Sequence, residues 1–125
     1  MSTFHDHDDR PSAIRHASNG SENWAEAARH QQSARLSHAD FYALAGQMVA
    51  TLYALDDLAV LLAAQVGRYG DGRALYDDTH TVDPAMRLPG AVHSLAGVHM
   101  ALGMVAAAAN AFWSAIGHIG VEDAP

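Results

Sequence analysis

Nine histidines and fourteen acidic residues are the side chains in this 125-residue sequence that could do chemistry, and their spacing decides how much. There is no cysteine, which excludes thiolate nucleophiles, disulfides and thiolate metal sites. His93, His99 and His118 stand six and nineteen residues apart, whereas two ligands side by side on a helix need a separation of three or four. Neither Glu-x-x-His nor His-Glu-x-x-His occurs, and a ferritin-like centre needs inward carboxylates on several helices. His5-Asp6-His7-Asp8-Asp9 combines imidazole with carboxylate and could hold a divalent cation. In a polar leader the entropy of ordering weakens such a site, and a solvated tail is the commoner outcome.

Asp56-Asp57 interrupts an otherwise apolar run, and a pair of acids is one route to proton transfer. Neighbours on a helix point about 100° apart, so the two cannot share a proton without help from another element. A contact between Asp56 of one subunit and His99 of another would make a polar site of Asp56, Asp57 and His99. The plainer reading is that the acids mark a solvent face. Tyr76-Asp77-Asp78-Thr79-His80 could form a binding loop, yet it lacks the calcium-loop and phosphate-loop patterns. No Gly-x-Ser-x-Gly elbow is present. Met100 and Met104 lie one turn apart and fit either a core or a helix-binding groove. The sequence therefore points to no enzyme and no cofactor.

The net charge of −7, with seven arginines and no lysine, argues against nucleic acid as a partner. The N-terminus lacks the basic and apolar regions of a signal peptide, and with no cysteine the expected location is the cytoplasm.

The elements that must position these residues are helical. From Leu88 to Val121 no residue is charged. Ala91, Leu95, Val98, Leu102, Val105, Ala109, Phe112, Ile116 and Ile119 recur at alternating spacings of four and three. Phe41, Ala45, Met48, Leu52, Leu55, Ala59, Leu62, Val66 and Tyr69 repeat in the same way. Ser37 with Asp40, flanked by Leu36 and Phe41, forms a capping box with a hydrophobic staple. Gly70-Asp71-Gly72 stops that helix, and Asp83-Pro84 starts the next, with a kink or break expected near Leu88-Pro89. Ser21 fits as the cap of a short first helix that would be held by docking Trp24.

The expectation is an all-α fold. Residues 1–20 form a disordered tail, residues 21–120 a domain with helices at about 22–35, 38–69 and 85–119, and residues 121–125 a second tail. Equal seams, each roughly 42 Å long at the helical rise per residue, pair as an antiparallel hairpin in which Tyr69 faces Ala91 and Phe41 faces Ile119. In size and layout this hairpin resembles the secreted WXG family, although its Trp-x-Gly turn is missing and the only tryptophans are Trp24 and Trp113.

After pairing, Val49, Leu58, Val60 and Leu61 still need cover, and Ser94, Ala101, Ala108 and Ala115 form a line of small side chains. A homodimer closing a four-helix bundle would bury both sets. The leading functional expectation is thus a non-enzymatic, homo-oligomeric interaction module that presents a surface to another protein. A membrane-associated protein is the second reading, since residues 94–117 are long enough to span a bilayer. His99, Asn110, Asp56 and Asp57 weigh against it. A small enzyme or metal-binding bundle using Asp56 and His99 is the third.

Overall fold

A computed structural model describes residues 8–122 of the chain. It is all-α: α1 spans Ser12–Gln32, α2 His38–Arg68 and α3 Pro84–Gly117. The chain divides into two compact units, residues 1–36 with α1 and residues 37–125 with α2 and α3. The leader residues His5, Asp6 and His7 of the suggested metal site, and residues 123–125 of the C-terminal tail, lie outside the described residues.

In the first unit, the helix begins nine residues ahead of the expected Ser21 cap. Pro11 precedes it in an extended conformation, its carbonyl accepting the Arg15 amide at 3.1 Å. The Arg15 guanidinium donates to the Ser12 hydroxyl and the Arg10 carbonyl. Ser21 is internal, its hydroxyl donating to the Ser18 carbonyl at 3.0 Å. Asp8 accepts from the Arg10 side chain just before the helix, which lowers the Asp8 pKa to about 2. Sequence reading misses the stretch from Ser12 to Gly20, about two and a half turns, because Pro11 gives the helix no side-chain cap to mark its start.

In the second unit, α2 and α3 each begin on a side-chain N-cap, although the Asp40 side chain does not return the second bond of the expected box. Ser37 Oγ accepts the Asp40 amide at 3.4 Å, and Asp83 Oδ1 accepts the Ala85 amide at 3.0 Å with Pro84 in the first helical position. α2 ends where Asp71 donates to the Arg68 carbonyl, and Gly72 turns with a φ of 71° that suits a residue without Cβ. α3 is continuous across Pro89, so of the two alternatives, kink or break, the break is absent. Pro89 falls early in the helix and forgoes a single backbone bond.

α2 and α3 pack as a long hairpin. The register matches the expected one to within a residue. A Cβ added to Gly46 would meet the Trp113 ring at 3.1 Å, one on Gly67 would meet Val92 at 3.7 Å, and one on Gly117 would meet Tyr42 at 2.9 Å. The faces in contact are turned relative to expectation. Ala45, Leu52, Ala59 and Val66 of α2 are buried or half-buried, as are Leu95, Leu102, Ala109 and Ile116 of α3. Between them, however, sit Val49, Asp56 and Ala63, and Val92, His99, Ala106 and Trp113, in place of Met48, Leu55 and Leu62 and of Val98, Val105 and Phe112. The displaced residues are all exposed.

Small side chains explain the turn. Ala45, Val49, Ala59 and Ala106 are the buried core of the described chain, at 1–6% exposure, and such residues let helix axes approach closely. The same rotation satisfies polar partners across the hairpin, as the site geometry shows.

Candidate functional site

Asp56 and His99 meet within a single chain. His99 Nδ1 lies 2.6 Å from Asp56 Oδ1, with side-chain exposures of 53% and 27%. The expectation of a contact between subunits is therefore corrected, and the cause is the turned seam, which brings both residues to the contact line of the hairpin. Asp57 is exposed on the flank of α2 and takes no part in the pair.

A carboxylate on Nδ1 fixes the imidazole and leaves Nε2 free, the arrangement that orients a general base. Among the described residues no hydroxyl is hydrogen-bonded to either group. The pair is a polar link in an otherwise apolar seam, and sliding the helices by a turn would break its hydrogen bond.

A second link joins residues one turn before Asp56 on α2 and three turns after His99 on α3. Asn110 Nδ2 donates to the Tyr53 hydroxyl at 3.0 Å and to the Ala106 carbonyl at 2.9 Å. Beyond it the Trp113 ring covers Gly46 and tilts against Tyr42 at 5.6 Å between centroids. Trp113 Nε1 is buried without a hydrogen-bond partner among the described residues. Sequence reading did not single out Tyr53 or Gly46, and named Asn110 only as a residue that weighs against a membrane span. The signal was there in the register, which sets Gly46 against the bulk of Trp113.

The connector forms a clasp instead of an open loop. Asp77 accepts from Thr79 and, at 2.8–2.9 Å, from the Arg87 guanidinium, and its carboxylate is 5% exposed. The Thr79 hydroxyl and then Arg87 hold the Asp77 pKa below the usual carboxylate value. This clasp is complete above the ordinary range of an aspartate and comes apart as pH falls through the depressed value. Tyr76 stacks on His80, whose φ of 56° is left-handed, and Arg73 lies over the Tyr69 ring at 4.5 Å.

At the opposite end of the hairpin an open groove of about 470 Å³ is lined by residues including His38, Tyr42, Ser114 and His118. Among the described residues no three histidines or carboxylates converge as a metal site would require.

Of the residues expected at an oligomer contact, Val49 is not free: at 4% exposure it belongs to the hairpin core. Leu58, Val60 and Leu61 are exposed by 42–53%, and Ser94, Ala101, Ala108 and Ala115 are exposed as well. These residues do not share one face. Leu58 lies beside Leu55 and Leu62, Val60 on the Tyr53 side, and Leu61 on the back of α2.

Comparison with protein-family models, with curated proteins and with solved structures gives no match to this chain.

Proposed function

We propose that the chain is a non-enzymatic helical assembly module that associates with itself through its hairpin and presents its connector and termini to another macromolecule. One observation carries the reading. The hairpin leaves Met48, Leu55, Leu62, Val98, Val105 and Phe112 exposed by 37–49% in a protein whose described core is three alanines and a valine. Contiguous apolar surface of this extent marks a protein or membrane contact. The cytoplasm is the proposed location, and no cofactor is invoked.

A second reading has its own observation. α2 and α3 are each long and apolar enough to cross a membrane, and 11% and 6% of their most apolar stretches are buried in the hairpin. Against lipid stands Asp57, an exposed carboxylate near the middle of α2, where a bilayer centre makes a charge costly.

Light scattering on the purified full chain and sedimentation of cell membranes separate the two. The expected result is a mass of at least two chains from the soluble fraction. Recovery only in carbonate-washed membranes favours the second reading, and a soluble monomer at high concentration defeats both.

A further inference from the structure

We infer that the face carrying Met48, Leu55 and Leu62 of α2 and Val98, Val105 and Phe112 of α3 seats a second copy of this chain, about a two-fold axis parallel to the helices. The inference rests on the self-association proposed above and names its surface and geometry.

The six residues form one face. In an antiparallel pair, positions on the same flank of the two seams lie on the same side. Tyr53 and Asn110 join across one flank at 3.0 Å, so the residues on the other flank of each seam share the opposite side. That opposite side is the large apolar one, and its exposure is matched on both helices.

Its chemistry suits a like surface. The next positions outward are Leu44, Thr51, Leu58 and Gln65 on α2, and Ser94, Ala101, Ala108 and Ala115 on α3. Neither these nor the six central residues include a charge, although the chain carries −7, so two such faces meet without repulsion. The hydroxyls at this edge are already satisfied by their own helices, Thr51 donating to the Gln47 carbonyl at 2.8 Å and Ser94 to the Gly90 carbonyl at 3.1 Å. Covering them leaves no orphaned donor.

Shape selects the axis. A two-fold parallel to the helices lays α2 of one protomer against α3 of its partner, antiparallel and at the heights they hold within the hairpin. The register that sets Gly46 by Trp113 and Gly67 by Val92 then carries over by symmetry. Leu44 faces an alanine at position 115, Thr51 one at 108 and Leu58 one at 101, large against small in each layer. A perpendicular axis would set the leucines against each other and the alanines against each other. Lipid would make no use of the complementarity.

Because the chain has no cysteine, paired cysteines report the contact directly. The full-length double variant L58C/A101C, oxidised at a concentration where the parent associates, should run almost wholly as a covalent dimer. L61C/M104C, at positions exposed by 53% and 77% on other sides of the helices, should give at least tenfold less. Val105→Glu, at a position 49% exposed in the hairpin, should raise at least a hundredfold the concentration at which association and the helical spectrum appear together. If the parent associates but L58C/A101C does not cross-link, or Val105→Glu associates as the parent does, the surface is wrong and self-association stands. A monomeric parent, or one that partitions into detergent, overturns both.

Discussion

His99 is about half exposed and Asp56 about a quarter, so their hydrogen bond is neither a loose surface ion pair nor a sealed one. A bond of this kind contributes about 1 kcal/mol. His99→Ala and Asp56→Ala should each lower urea stability by about that amount, and the double variant should lose less than their sum, with a coupling of about 0.5–1 kcal/mol. Asp57→Ala, with no partner in the seam, should stay within about 0.5 kcal/mol of the parent. Strict additivity between positions 56 and 99 would mean that the pair does not form in solution. Their residue types were legible, because a carboxylate and an imidazole inside apolar runs stand out. Their meeting was not, because it depends on which side of each helix makes the seam.

At the scale of the helices, two glycines in similar surroundings by sequence have opposite environments. Nothing lies within 4 Å of a Cβ built on Gly103, so Gly103→Ala should add about 1 kcal/mol through helix propensity alone. Gly46 sits under Trp113, whose indole nitrogen is buried, and a Cβ there would crowd three ring atoms at 3.1–3.4 Å. Gly46→Ala should therefore lose about 1 kcal/mol despite the same gain in propensity, from the strain of overpacking. Thermal melts of both variants decide the matter, and equal shifts would place Trp113 elsewhere. The hairpin, its caps and its register could be read from the sequence because Ser37, Asp40, Asp83 and Pro84 punctuate two regular patterns. The seam was only half legible. Ala45, Leu52, Ala59 and Val66 belong to both the apolar centre of α2 and its contact face. Met48, Leu55 and Leu62 belong to the first alone, and periodicity reports where apolar mass is greatest, whereas packing favours the side on which backbones come closest. α1 was legible only from Ser21 onward, since its start at Ser12 carries no side-chain cap.

For the whole molecule, the decisive feature is the thinness of the hairpin core. Ala45, Ala59 and Ala106 are among the smallest side chains, and Val49 is the one larger side chain buried with them among the described residues. The hairpin by itself therefore has little buried apolar surface to set against the entropy of ordering its backbone. Folding and association should then be one event. The melting midpoint should climb with each tenfold rise in protein concentration, as it does where a bound partner stabilises only the folded state. A midpoint that ignores dilution would show a self-sufficient hairpin. If the chain self-associates as proposed, the consequence reaches into the cell: such a chain is durable only while it is abundant. Falling synthesis would leave each copy longer without a mate, open to proteases in the interval, so that its disappearance would be steeper than the drop in supply.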